Sequence, residues 1–435
     1  MNILKENEML IADGKRNVKV NKFLGGGGQG EVYRVTVDTE TYALKWYYDN
    51  IATAQQKNNI ESLIAKGSPS DNFLWPLSMV SSEINNKSFG YLMKLRLQRF
   101  KGITDLMKGR INPTFNNLIT ACYNLSNSFT QLHAKGLCYK DISHGNIFID
   151  ENNGDILICD NDNVAVNNDK NASVLGTPRF MAPEVVRSES LPNTSTDLFS
   201  LSVLIFYIMF LGHPLEGKKE AEIKCFDLPA MNKLYGTDPI FIFDPNNDSN
   251  RPVKGYQDNP IMFWDIYPEF LKKLFTKAFT EGLNDTNKRV RDTEWRLAFI
   301  KLRDSIVYCH CGTQNFYNEY ATAPLTCWSC KKEIILPMVL KIKNDFVMLN
   351  YDTKIYEHHI EKNQDFSEPI AEVSQNPNNP NIWGIKNLTK SKWTIIDANN
   401  ETKEVEPERS VTIMEGVKIN FGRVDGIIES AKRNN

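Results

Sequence analysis

Five of the six residues from Gly25 to Gly30 are glycine, reading GGGGQG. Glycine gives up more backbone freedom on ordering than any other residue, so such a run suits a hairpin tip better than the interior of an element. The flanking stretches agree, since Asn17 to Phe23, Glu31 to Asp38 and Thr41 to Tyr48 are all β-rich. Within the run the order is G-x-G-x-x-G-x-V, at Gly25, Gly27, Gly30 and Val32. Residues without Cβ let backbone N–H groups approach anionic phosphates, and Val32 would cover a base from above. Alone, the motif reads equally as a flexible hairpin tip. The next β-rich stretch narrows it, because it contains Tyr42-Ala43-Leu44-Lys45. A buried ammonium on a strand is costly unless paired. Glu61, on the helical stretch Ile51 to Lys66 that ends at Gly67, is the natural partner, although by itself it reads equally as a surface residue.

From about residue 99 to 304 helical spacing dominates. Leu118, Cys122, Leu125, Phe129 and Leu132 recur at three or four residues and close on Lys135-Gly136, a C-cap signal. Tyr139-Lys140-Asp141-Ile142-Ser143-His144-Gly145-Asn146 has the spacing of H-R-D-L-x-x-x-N. In that pattern Asp141 accepts the proton of a substrate hydroxyl and Asn146 holds a Mg²⁺ (or Mn²⁺). Ile158-Cys159-Asp160-Asn161-Asp162 places Asp160 where a second oxygen ligand for that metal is expected. Gly176-Thr177-Pro178-Arg179-Phe180-Met181-Ala182-Pro183-Glu184 follows, with Arg289 as the candidate counter-ion of Glu184. The apolar run Leu198 to Leu211 reads as a buried helix, and Asp197 at its start can brace the backbone of the Tyr139–Asn146 loop. Tyr235 to Pro268 reads as loop, from the turn signals YGTDP, DPNNDSNRP and DNP.

A chain of 435 residues exceeds one core, so two or three domains are expected. Hydrophobic content of 41% with 24% charged residues is globular, and a net charge of -2 argues against nucleic acid or an anionic membrane as partner. The start MNILKENEML lacks the basic-then-apolar pattern of a secretory signal. At 14 residues with two serines, Leu198 to Leu211 is too short to span a bilayer. A soluble, cytoplasmic protein is expected.

These residues carry a resemblance. Residues 15 to 304 resemble a eukaryotic-type protein kinase, with the G-T-x-x-F-M-A-P-E loop of the Ser/Thr-directed branch. The resemblance implies an α+β, bilobal kinase fold over 1–304, with a β-rich lobe over 1–98 and a helical lobe over 99–304. It implies ATP and Mg²⁺ as cofactors, a protein substrate, and a contact from Thr177 to Asp141 that favours Ser/Thr acceptors. LICDNDNV, GTPRFMAPEV, TDLFSLSVLIFYIMFLGHPLEG and FIFDPNNDSNRP are closest to a bacterial subgroup associated with tellurite-resistance gene clusters. Its implied partners are a metal-dependent protein phosphatase and a von Willebrand A-domain protein.

The departures have consequences. Tyr139-Lys140 replaces His-Arg, and lysine is a point cation rather than a fork, which argues against control by phosphorylation at Ser173 or Thr177. Ser143 replaces the lysine expected near the γ-phosphate. D-F-G has become Asp160-Asn161-Asp162, where Asp162 is a turn cap or a third metal ligand. Since Lys45, Glu61, Asp141, Asn146 and Asp160 are all present, an active enzyme is expected over a nucleotide-binding pseudokinase scaffold.

Cys309-His310-Cys311-Gly312 and Cys327-Trp328-Ser329-Cys330 form two chelating pairs, which suit a closed four-thiolate Zn²⁺ knuckle over 305–337. Structural zinc is expected there, with His310 pointing outward. After Pro337 the period changes to two, giving about eight short strands over 338–435 and an all-β sandwich. Trp383 to Thr389 and Glu415 to Gly422 resemble the second half of a forkhead-associated domain, but the phosphothreonine-reading G-R…S-x-x-H pattern is absent. Docking, autoinhibition and a phosphopeptide adaptor are the roles open to this module, and His358-His359 read as polar loop residues.

Overall fold

The computed structural model describes residues 3–82, 88–167, 175–319, 323–361, 368–397 and 399–431. Ser173 lies outside the described residues. The chain divides into two compact units, Met1–Trp264 with Lys272–Leu297, and Asp265–Leu271 with Ala298–Asn435.

The first unit opens with strands β1 (Met9–Ala12), β2 (Arg16–Gly26), β3 (Gly30–Val37) and β4 (Glu40–Tyr47), helix α1 (Ala54–Lys66), and strands β5 (Ser78–Ser81) and β6 (Phe89–Lys94). The strands close into a barrel in the order β1-β2-β3-β4-β6-β5. Alternation builds its core, because period-two positions such as Val18, Val20, Val35, Leu44 and Trp46 all face inward. The β2/β3 register shifts between Val20 and Lys22 and again between Phe23 and Gly25, just before the glycine run. Such irregularities sharpen strand twist and re-aim a hairpin end. Antiparallel pairing places Val32 opposite Lys45. The helix α1 starts at the N-cap Thr53, whose side chain accepts from the Gln56 N–H.

Helices supply the rest of this unit. Phe115–Ala134 buries Leu118, Cys122, Leu125, Phe129 and Leu132, the stripe that periodicity indicates. Thr194–Phe210 is buried around most of its circumference, as expected for a helix apolar on all sides. Its N-terminus carries a capping box from Asn193 and Thr196. One expectation fails here, since Asp258–Ile266 is helical rather than loop. The proline of Asp258-Asn259-Pro260 sits in the first helical turn, where no intrahelical N–H is needed, so DNP opens a helix.

The second unit holds two cores. Hairpin strands Ile306–Tyr308 and Gln314–Phe316 lie beside the four clustered cysteines. Beyond them, a six-stranded and a four-stranded sheet share one apolar core that includes Leu340, Ile355, Val373, Ile385, Trp393 and Ile428. Ten strands are therefore present among the described residues, where about eight are expected, and the sheets form an antiparallel sandwich. His358 and His359 lie on a one-turn helix, Glu357–Ile360, with His359 buried, and not on a polar loop. Among the described residues no helix is long and apolar enough to cross a membrane.

Candidate active site

The glycine-rich tip forms the β2–β3 turn, closed by the Gly27 N–H donating to the Gly30 carbonyl at 2.9 Å. Gly30 is a steric requirement, because a Cβ there would stand 2.1 Å from the Trp46 carbonyl oxygen. At Gly25, Gly27 and Gly28 an added Cβ would meet nothing within 4 Å, so the cradle is open to an anionic group.

Lys45 projects from β4 with 7% side-chain exposure. Its Nζ lies 2.6 Å from Asp160 Oδ1, 2.7 Å from Asp162 Oδ2 and 3.0 Å from Gln29 Oε1. Burial alone would lower the Lys45 pKa, but the Asp162 and Asp160 carboxylates outweigh it and raise it. Asp162 is buried, yet Lys45 and the Tyr47 hydroxyl hold its carboxyl below the usual range. Asp160 moves the other way, since burial and the neighbouring Asp162 charge push it up against the pull of Lys45. Asp141 also contributes to that upward push, which places its charge near the same cleft.

The structure does not bring Glu61 to Lys45. Glu61 is exposed, and no ion pair joins the two among the described residues. Residues two apart on a helix do not share a face. It is Asn59 that faces the cleft, its Nδ2 donating to the Asp162 carbonyl at 2.9 Å. Gln56, three residues earlier, donates to the Tyr47 hydroxyl at 3.1 Å.

The Tyr139–Asn146 loop is clamped from below. Both oxygens of Asp197 accept main-chain N–H groups, from Tyr139 at 2.6 Å and Lys140 at 3.0 Å. This is the brace expected of an acid at that helix start. His133 lies behind it, between Asp197 and Asp292 at 3.2 and 2.8 Å. Burial would lower the His133 pKa, but the two carboxylates raise it to about 9. Asp141 Oδ1 accepts the Thr177 hydroxyl at 2.7 Å. Asn146 Nδ2 donates to the Asp141 carbonyl at 2.9 Å, which commits the amide nitrogen and leaves its oxygen to accept from, or coordinate, a cation. Asp160 adopts a left-handed conformation, φ 56°, at the end of the strand Ile156–Ile158. Glu184 and Arg289 form the expected pair at 2.7 Å, and the remaining guanidinium donors reach the Ser195 and Gly282 carbonyls.

Lys45, Asp141, Asn146 and Asp160 are thus gathered as their spacing indicates, with Gly25, Gly27, Gly30 and Val32 on the overlying hairpin. The residues read past are Gln29, Tyr47, Gln56 and Asn59, while Asp162, expected as a turn cap or a third metal ligand, instead binds Lys45 and Tyr47. Polar residues three apart on α1, facing the motif end, carried the signal for Gln56 and Asn59. An open glycine cradle, a buried cation and hard oxygen donors fit a magnesium-bound nucleotide.

In the second unit, Cys309 and Cys330 Sγ are 3.5 Å apart, Cys311 and Cys327 are 3.8 Å apart, and all four lie within 4.8 Å of one another. A tetrahedron of 2.3 Å zinc–sulfur bonds has edges of about 3.8 Å, so the set fits Zn²⁺. Gly312, at φ 84°, makes the turn between the first pair and the next strand, and His310 is exposed. Asp304, His358 and His359 form a second cluster, but His359 Nδ1 accepts the Tyr356 N–H at 3.0 Å. That leaves Nε2 as the proton-bearing donor to Asp304 at 3.1 Å, an ordinary hydrogen bond.

The model of the family described as "Protein kinase domain" matches residues 18–290. Protein kinase gsk3 of Schizosaccharomyces pombe is 27% identical over 162 residues, covering 36% of this chain and 38% of the relative. The G2-specific protein kinase fin1 of the same yeast is 35% identical over 97 residues, 21% of this chain and 13% of its own. Human ribosomal protein S6 kinase alpha-2 is 36% identical over 109 residues, 24% of this chain and 15% of its own. The chain thus spans less than half the length of each of these relatives.

Proposed function

The chain belongs to the protein kinase family, and we propose that it transfers the γ-phosphoryl group of ATP to serine or threonine hydroxyls of a protein. One observation carries this reading: Lys45 and Asp160, 115 residues apart in sequence, meet at 2.6 Å beneath the glycine hairpin. They are a phosphate-binding cation and a metal-binding carboxylate brought to one place. When bound, magnesium neutralises charge that develops on the transferring phosphate. Lys45 would hold the α- and β-phosphates, and the Asn146 oxygen and Asp160 would receive the metal. Asp141, oriented by Thr177, would accept the proton of the incoming alcohol. Catalysis would rest on positioning and electrostatics. The Thr177–Asp141 hydrogen bond supports Ser/Thr over Tyr as acceptor.

The four cysteines would hold a structural zinc, and the zinc-binding and sandwich modules would recruit substrate or partner. Motif likeness to the bacterial subgroup supports a metal-dependent phosphatase and a von Willebrand A-domain protein as those partners.

Ser143, in place of a lysine near the γ-phosphate, favours a second reading, a nucleotide-binding scaffold without turnover. Incubation with γ-labelled ATP, Mg²⁺ and lysate separates the two. We expect phosphoserine and phosphothreonine, and a loss of about 10²- to 10⁴-fold in Asp141→Ala. A rise in Tm with ATP–Mg²⁺ but no label on any protein would establish the scaffold instead.

A further inference from the structure

Protein kinases need a fixed counter-ion beside the phosphate-binding lysine, and the helix following that strand is where the sequence directs the search. In this molecule the helix does not supply it. We infer that Asp162, the third residue of Asp160-Asn161-Asp162, positions Lys45 for nucleotide, so that the alignment of this lysine is built into the metal-binding segment and needs no carboxylate from α1. The inference rests on the kinase reading above and assigns a residue that this reading does not use.

The carboxylate of Asp162 has 0% side-chain exposure, and both oxygens are committed. Oδ1 accepts from Lys45 at 2.9 Å, and Oδ2 accepts the Tyr47 hydroxyl at 2.5 Å while lying 2.7 Å from the ammonium. Lys45 and Tyr47 alternate to the same face of β4, so one strand presents the cation and the hydroxyl together. These partners are 117 and 115 residues away in sequence, which is not the local pattern of a turn cap. A fully buried carboxylate with both oxygens engaged has no open position for a metal either. Asp160, with 37% side-chain exposure, faces the open cleft and is suited to that role.

The segment is pinned on either side of the carboxylate. Asn161 Nδ2 donates to the Leu74 and Ile158 carbonyls, each at 2.9 Å. Swinging this residue out would take a donor from each of these carbonyls and leave only the Ile158 carbonyl a main-chain partner, the Leu74 N–H at 2.9 Å, unlike a phenylalanine that exchanges one apolar pocket for another. From above, the Asn59 amide donates to the Asp162 carbonyl. The helix α1 therefore touches the segment through a neutral amide, and Glu61 points away. Once magnesium draws on Asp160, Asp162 remains as the anion that keeps Lys45 in place. Movement of α1 would then leave the lysine's charge pairing intact.

The test uses the full chain, with Tm recorded without nucleotide to check folding. Steady-state phosphorylation is measured at varied ATP, alongside the Tm shift produced by ATP–Mg²⁺. For Asp162→Asn we expect kcat/KM for ATP to fall about 100-fold, mainly through KM, with Glu61→Gln within about twofold of wild type. Restoring the carboxylate one methylene longer, in Asp162→Glu, should recover part of the loss. Tyr47→Phe removes the hydroxyl donor from Asp162 Oδ2, which keeps only its contact with Lys45, and should cost about fivefold; if Asp162→Asn does not fold, a Tyr47→Phe variant with unchanged kcat/KM for ATP overturns the inference. An equal loss in Glu61→Gln, or a folded Asp162→Asn within threefold of wild type, overturns it. If wild type binds ATP–Mg²⁺ but transfers nothing, the kinase reading fails separately. The Tm shift then decides the inference, which expects the shift to vanish in Asp162→Asn and persist in Glu61→Gln.

Discussion

The cleft around Lys45 and the centre formed by Cys309, Cys311, Cys327 and Cys330 each gather four ionisable groups, and they satisfy them differently. In the cleft every charge has a partner within the chain, since Lys45 is held by Asp160 and Asp162, and Asp162 by Tyr47. In the cysteine centre the sulfurs face one another at 3.5 and 3.8 Å, and four thiolates so placed need a cation. The cleft is therefore preorganised before any ligand arrives, whereas the cysteine centre would depend on a bound metal.

The largest expected effect tests the metal-dependent side. Purified protein should carry one zinc per chain by elemental analysis. Chelation or Cys327→Ser should remove it and destabilise the second unit by on the order of 5 kcal/mol or more in denaturant unfolding. An unchanged profile after zinc loss would break the contrast. The next effect tests the self-sufficient side. Lys45→Met should abolish phosphoryl transfer and, in the absence of nucleotide, also lower stability by about 3 kcal/mol, because Asp162 is left buried without its cation. A loss of activity with unchanged unfolding would mean that the cleft is not held by its own charges.

The smallest effect sharpens the comparison through pH. His133 is raised from its ordinary value to about 9 by Asp197 and Asp292, against the effect of burial. Protonation is therefore favoured in the folded state. Its contribution is fully present below pH 6.5, the unfolded pKa, and is lost as pH rises through about 9. That amounts to at most about 3 kcal/mol. Denaturant midpoints should fall between pH 6.5 and 9 in wild type and fall less in His133→Gln. Because Asp197 also clamps the Tyr139 and Lys140 amides, activity should decline in the same window.

Local chemistry explains which features were legible. The cysteine pairs are chelating by spacing alone, so four ligands can be read from a string. The helix Phe115–Ala134 and the Glu184–Arg289 pair were readable for similar reasons, one by period and the other because a partly buried acid calls for a cation. Glu61 shows the limit of that reasoning. A carboxylate on the right helix was visible, but which face of α1 meets the strands depends on how Ile60 and Leu63 are buried. The same packing turned Asn59 toward Asp162 and Glu61 toward solvent. DNP misled for a different reason, since proline signals a turn and a first helical turn equally well.

Residue types and their order by themselves placed a glycine-rich hairpin, a strand lysine, an asparagine and an aspartate suited to a metal, and an aspartate suited to accept a proton in the pattern of the protein kinase family. Four clustered thiols and a β-patterned tail were determined in the same way. Only the tertiary structure decided which anion holds the lysine. That choice is made by long-range burial, where a carboxylate excluded from water must be placed against a cation, whatever the spacing along the chain.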